Sequence, residues 1–427
     1  MKQRMMGRIA ALSLSVVLPL SAALSLSGCG AAQSVQTEDL LADLEVSKIQ
    51  AEADLTGSGA DAAMDFSVRL FQETQDAGQN TLLSPLSAMY ALSMTANGAG
   101  GETLSQMEAT LSMSVQQLNE YLCTYMQALP SEEKSRLHLA DSIWLRDAEE
   151  FQPQQEFLET VAEYYDASVY KAAFNSRTLN EINAWIKQET DGKIPEILSK
   201  INDDAVMYLI NALSFDAEWA NPYTPESCSE GVFTCEDGSE TDAEFMYSQE
   251  YRYLEDEHAT GFLKYYYDHN YAFAALLPEE GMTVAEYVDS LTGEDLRNLL
   301  SGSREVPVDT ALPKFEAEYS TDLSEPLQNM GIIDAFSSAD ADFSGIGVSE
   351  DGPLYISKVL HKTFLSLDEQ GTEAGAATAV EMASGSAMSE SEEPKEVILD
   401  RPFLYLIIDC SADLPLFIGT AQSISHQ

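Results

Sequence analysis

The sequence predicts an α+β protein in which helices cover large sheets, folded as one large domain. Three stretches carry that reading: a capped helix beginning near residue 85, an apolar run at residues 206–215, and a strand–turn–strand pattern close to the C-terminus. At 427 residues the chain allows two or three domains or a single large one. From about residue 61 onward the composition is steady, with no internal repeat and no Pro/Gly-rich boundary, which favours the single domain.

The elements follow in order. Ser84 is a good helix cap, and Pro85 takes the first helical position, where a missing N–H costs nothing. The helix runs over residues 86–97 and ends at Asn97-Gly98. Ile182, Trp185, Ile186 and Glu189 keep helical spacing and are stopped by Asp191-Gly192. Residues 206–215 (VMYLINALSF) are apolar apart from one Asn and one Ser, which suits a strand covered on both faces. Residues 271–277 form a second strand, and residues 403–408 and 415–418 form a hairpin about a turn at 411–413.

Lys and Arg number 22 against 71 Asp and Glu, a net charge of −49. Such a chain has no clustered cations for nucleic acid and no basic patch for anionic lipid. The hydrophobic share of 45% supports a sizeable core.

The N-terminus points to export. Residues 1–8 carry Lys2, Arg4 and Arg8 and no acid, residues 9–26 are apolar and small, and Leu26-Ser27-Gly28-Cys29 follows. The ending resembles the bacterial lipoprotein signal, in which the cysteine is lipidated and becomes the first mature residue. An ordinary signal peptide, with Cys29 incidental, is the other reading. The run is short and broken by Pro19, which argues against a membrane span. The expected organisation is a signal peptide at 1–28, an acidic flexible tether at 29–60 and a folded domain at 61–427. The expected location is the extracellular face of a bacterial cell membrane, through lipidated Cys29. Outside the cell a disulfide is permitted, and Cys228 and Cys235 are close enough in sequence to close a small loop.

Catalytic patterns are missing. None of the five histidines pairs with another at metal-ligand spacing, and there is no HExxH, P-loop, GxGxxG after a strand or GxSxG elbow. With 71 acids a carboxylate dyad can always be imagined, but no position recommends one. No metal, no cofactor and no enzymatic activity are expected.

Residues 368–388 are unusual. Thr372, Ala374, Ala376, Thr378, Val380 and Met382 alternate with Glu373, Gly375, Ala377, Ala379, Glu381 and Ala383. The first set is small or apolar and the second holds both charges, which is the period-two pattern of a strand. Ala and Gly are poor strand formers, and the polar residues 384–393 follow. The segment reads either as a strand-competent stretch with a cleavable tip or as a low-complexity surface loop.

A set of collinear markers resolves that choice. They are Asn80-x3-Ser84-Pro85-x-Ser87, Asn97-Gly98-Ala99 with Glu102-Thr103, Ile182-Asn183-x-Trp185 and Thr190-x-Gly192-Lys193-Ile194. Further on come Asn211-Ala212-Leu213-x-Phe215-x3-Trp219, Leu312-Pro313-Lys314-Phe315 and Ser357-Lys358-x2-His361-Lys362. Glu369-x-Gly371-Thr372-Glu373-Ala374, Arg401-Pro402-Phe403 and Pro415-Leu416-Phe417-x-Gly419 complete the set. Together they resemble the serpin family, the serine protease inhibitors, over essentially all of residues 61–427.

The resemblance implies a fold of three β-sheets and about nine helices with an exposed reactive-centre loop, caught in a metastable state. A protease that cleaves the loop forms an acyl-enzyme, the loop enters the central sheet as a new strand, and the dragged protease is distorted before it can deacylate. The loop hinge would comprise Glu369, Gly371, Thr372, Glu373, Ala374, Gly375, Ala376, Ala377 and Thr378. Its inward residues carry nothing bulky or charged, unlike those of non-inhibitory members such as ovalbumin, which implies an inhibitor. Family spacing places the reactive bond at Gly385–Ser386, with Ala383–Ser384 and Met388–Ser389 as alternatives. Small or unbranched residues there, with no Arg or Lys, fit elastase- or subtilisin-like serine proteases. Ser84, Ser87, Asn211 and His361 match the polar cluster where the sheet opens, and Trp219 matches the aromatic where the loop enters.

No polyanion activator is expected for so acidic a chain, and a monomer is. Two alternatives stand beside the inhibitor: a non-inhibitory serpin-fold binding module, and a solute- or glycan-binding surface lipoprotein.

Overall fold

In the computed structural model, residues 37–76, 78–130, 134–148, 151–349, 352–372 and 393–424 are described. Nine α-helices lie among them, with a seven-stranded, a six-stranded and a four-stranded sheet and one two-stranded pair. Helix α1 spans Ser58–Thr74 and α2 spans Pro85–Ala96. The seven-stranded main sheet is built from β1 (Glu38–Asp39), β2 (Ser135–Arg146), β3 (Ser168–Ala172), β4 (Met207–Glu218), β5 (Phe315–Asp322), β6 (Lys358–Leu367) and β7 (Gly371–Thr372). Their spatial order is β1-β3-β2-β4-β7-β6-β5.

Helix α2 forms where its signals place it. The Ser84 hydroxyl accepts the Ser87 N–H, and Asn97 closes the far end with its amide donating to the Ser93 carbonyl. All twelve of its residues are buried, so it runs through the core rather than over it.

Strand β4 explains why its sequence is apolar on both faces. Leu209, Leu213 and Phe215 join the main core, whereas Tyr208, Ile210 and Ala212 pack with Trp144, Ile182 and Ile186 on the opposite side. That second cluster is closed by the helix Ser176–Glu189. The predicted hairpin spans Phe403–Asp409 and Leu414–Ala421, inside the six-stranded sheet.

Two expectations are corrected. Residues 37–57, expected to belong to a flexible tether, lie against the domain. β1 pairs with β3 as an edge strand, the Ile49 N–H donates to the Glu163 carbonyl, and Leu40, Leu41, Leu44, Ala53 and Leu55 pack on the core. A few well-spaced apolar residues suffice to dock an acidic segment when a sheet edge offers unpaired backbone groups. The Cys228–Cys235 disulfide is also absent, and both cysteines are free. The strand Cys228–Thr234 is extended, which puts the two residues roughly 20 Å apart. A disulfide needs Cα atoms within about 7 Å.

Candidate functional site: the junction of β4 and β6

The two central strands β4 and β6 run parallel and pair directly from Lys358↔Tyr208 to Phe364↔Ser214. Beyond that point they separate, and β7 enters between them. Thr372 pairs with Ala217 on β4 and with Leu367 on β6. Gly371 lies opposite Glu218, and a Cβ there would sit 2.0 Å from the Ala217 carbonyl oxygen. Only glycine fits an approach that close.

Thr372 is buried, and its hydroxyl shares a 2.6 Å hydrogen bond with the hydroxyl of Tyr266. Tyr266 stacks on Trp219 at 4.5 Å between ring centroids. Trp219 holds the turn that precedes β7: its ring N–H donates to the Asp368 carbonyl at 2.9 Å, and its backbone N–H donates to the Gln370 carbonyl at 2.8 Å. Asp368 shapes the same turn by accepting the N–H groups of Gln370 and Gly371. From the outside, Lys314 bridges Glu369 at 2.8 Å and Glu244 at 3.1 Å. The hydrogen bond from Lys314 holds the Glu369 carboxyl below the usual range. Beneath Trp219, buried Lys264 pairs with Glu250 at 2.8 Å and lies 4.2 Å from the ring centre of Tyr223.

Where the strands still pair, a buried polar cluster joins them to α2. The Ser84 backbone N–H donates to His361 Nε2 at 3.0 Å, so the proton sits on Nδ1, which donates to Asn211 Oδ1. The Ser87 hydroxyl donates to the same oxygen at 3.1 Å. His361 is completely buried, and burial lowers its pKa to about 3, which keeps the ring neutral.

Ser84, Ser87, Asn211 and His361 therefore meet at one point. Trp219 does not join them: it follows the end of β4, eight residues and roughly 26 Å along the strand direction from Asn211. Glu369, Gly371 and Thr372 surround the gap. Glu373, Ala374, Gly375, Ala376, Ala377, Thr378, Ala383, Gly385, Ser386, Met388 and Cys29 lie outside the described residues. The sequence reading singled out neither Tyr266 nor Lys264. A Lys inside an apolar strand (Ala259–Tyr265) was the one available signal for the second. Among the described residues no group of three or more His, Cys, Asp or Glu is arranged to hold a metal ion.

The fold and this junction define a protein whose central sheet parts at one end to admit a piece of its own chain. A family model described as Serpin (serine protease inhibitor) matches residues 61–424. The crystal structure of tengpin, a thermophilic serpin, in its native state superposes with a TM-score of 0.86 at 45% identity, covering 91% of this chain and 100% of that one. Tengpin in its latent state superposes less well, with a TM-score of 0.77 at 43% identity over 88% of this chain and 100% of that one. The leukocyte elastase inhibitor of Xenopus laevis is 30% identical over 81% of this chain and 93% of its own. The chain belongs to the serpin family.

Proposed function

We propose that this protein is an extracellular inhibitor of serine proteases that acts as a suicide substrate. One observation carries the reading: Thr372, the first inward residue of the hinge, already occupies a strand position between β4 and β6. The residues that would follow it inward, Ala374, Ala376 and Thr378, are small and uncharged, so they would bring nothing bulky or ionised into the core as β4 and β6 part.

The chemistry is that of a protease acting on a bad substrate. The protease serine attacks the carbonyl carbon at Gly385, the bond to Ser386 breaks, and the new amine leaves with a proton. The inhibitor stays joined to the protease through an ester. Insertion converts unpaired backbone into ladder hydrogen bonds and carries the protease with it. A distorted oxyanion hole then stalls hydrolysis, since losing one donor alone slows such a step by ~10²–10³. Elastase- and subtilisin-like enzymes, with small apolar pockets, fit the uncharged residues at all three candidate bonds. The N-terminal signal supports lipidation at Cys29 and display on the outer face of a bacterial membrane.

Incubation with an elastase followed by a denaturing gel tests the inhibitor. A stable band at the summed mass is expected. Clean nicking with no gain in melting temperature would indicate a non-inhibitory binding module, and no cleavage would leave a solute- or glycan-binding lipoprotein. Labelling with a radioactive fatty acid, lost in Cys29→Ser, tests the anchor.

A further inference from the structure

The polar row across the main sheet extends one strand further than the four clustered residues. Asp141 on β2 is in register with Asn211 on β4, which is in register with His361 on β6. Directly opposed residues on neighbouring strands share a face, with Cβ atoms about 4.5–5.5 Å apart. Asp141 therefore turns toward α2, as Asn211 does. It is 2% exposed, and neither carboxyl oxygen has a hydrogen-bond partner among the described residues. The Asn211 side-chain oxygen is taken by Ser87 and His361, while its amide nitrogen has no partner there either. No hydrogen bond therefore reaches the carboxyl from Asn211, and nothing among the described residues offsets the cost of ionising it.

The groups around Asp141 supply no positive charge. From β4 comes neutral Asn211, and from β6 comes His361, held neutral as described. From α2 comes Tyr90, whose hydroxyl accepts the Asp166 N–H at 2.6 Å and whose ring meets Tyr165 edge-on at 4.9 Å. On the other side β3 begins pairing one residue further on, with Ser168 opposite Ser142. An ionised carboxylate in such a place is far costlier than a protonated one. Burial pushes the Asp141 carboxyl well above its ordinary range.

We propose that Asp141 is a proton gate for the main sheet: it holds a proton while β4 and β6 are paired and releases it to water when they part. Parting withdraws His361 from Asn211 and wets the row, so opening is linked to the loss of one proton. The effect on protease trapping rests on the function proposed above. The gate itself does not, because closure of β4 on β6 is measurable without a protease.

The sign follows from which state binds the proton. The closed sheet binds it more tightly, so opening becomes easier as pH rises, by up to about tenfold per pH unit. His361 acts in the opposite sense. It is neutral when closed and takes up a proton when exposed below about pH 6.5, so falling pH favours opening. Below about pH 6.5 His361 offsets Asp141, and above it only Asp141 contributes, up to the pH at which its buried carboxyl ionises.

The test is hydrogen–deuterium exchange of residues 208–214 and 358–364 in the uncleaved full chain from pH 5.5 to 8.5, with protection factors corrected for intrinsic exchange. The wild type is expected to be level up to about pH 6.5 and to lose protection above it. Asp141→Asn is expected to gain protection up to pH 6.5 and to stay level beyond. The ratio of the two then changes by up to about tenfold per pH unit. Parallel curves, or a ratio moving the other way, overturn the gate. Asp141→Ser serves the same comparison if the Asn variant does not fold. Parallel curves in a chain that traps elastase overturn the gate alone, whereas the expected curves in a chain that traps nothing overturn only the inhibitor.

Discussion

At the end of the main sheet where Thr372 has entered, β7 is secured by a stacked aromatic pair and by a Lys314–Glu369 bridge that reaches solvent. Roughly 20 Å further down β4, the same two central strands are joined by uncharged hydrogen bonds with no access to water. The first region holds β7 and is reached by solvent at its edge. The second is a lock whose cost of breaking is high because its polar groups lose their only partners. The contrast teaches that two parts of one strand pair are held by two kinds of force, which respond differently to salt, pH and mutation.

The largest change should come at the β7 end. Thr372→Arg places a charge where the native side chain is fully buried against Tyr266, so under the proposed mechanism entry would stall and the acyl bond would be hydrolysed first. The expected result with an elastase is complete cleavage and no covalent band. A variant that still forms complex at the wild-type stoichiometry would disprove the role assigned to Thr372.

At the lock, Asn211→Ala leaves the Ser87 hydroxyl and the His361 N–H without an acceptor. A loss of about 2–5 kcal/mol is expected from urea unfolding, together with faster exchange along residues 208–214. The loss should be the same in 0.1 M and 1 M salt, because nothing in the cluster is charged.

Lys314→Met should cost about 1 kcal/mol or less, since the partner carboxylates are half exposed. Here the difference from wild type should shrink in 1 M salt. It should also fade in acid, because the depressed Glu369 carboxyl contributes stability above its ordinary pKa that is lost as pH falls through the lowered value. A salt-insensitive Lys314 together with a salt-sensitive Asn211 would invert the comparison.

The smallest effect expected is none: a reductant should leave the melting temperature unchanged, because Cys228 and Cys235 are free.

Much of this arrangement was legible in the sequence where local signals and burial agree. Ser84-Pro85 fixed the start of α2, and ten nearly unbroken apolar residues marked β4 as covered on both sides. The family markers brought Ser84, Ser87, Asn211 and His361 to attention, and the structure gathers those four at one point. What escaped notice depends on contacts between distant residues. Thr372 and Tyr266 are 106 positions apart, and nothing near either predicts their shared hydrogen bond. Residues 37–57 read as a solvated tether because composition averages over the few apolar side chains that dock. Cys228 and Cys235 looked like a loop because seven positions of chain say nothing about extension until the strand is known. Asp141 is one of 71 acids, and only the fold shows it buried with neither carboxyl oxygen partnered.

Gly371 and Thr372 have a kinetic consequence. In a zipper the first pair is the costly one, because order is imposed before neighbouring pairs can repay it. Here that initiating pair exists before any cut is made, so further entry of the segment would be propagation from an existing seed. Its pace would then be limited by how fast the Tyr208–Ser214 stretch unlaces from its neighbour, and not by any search for the slot.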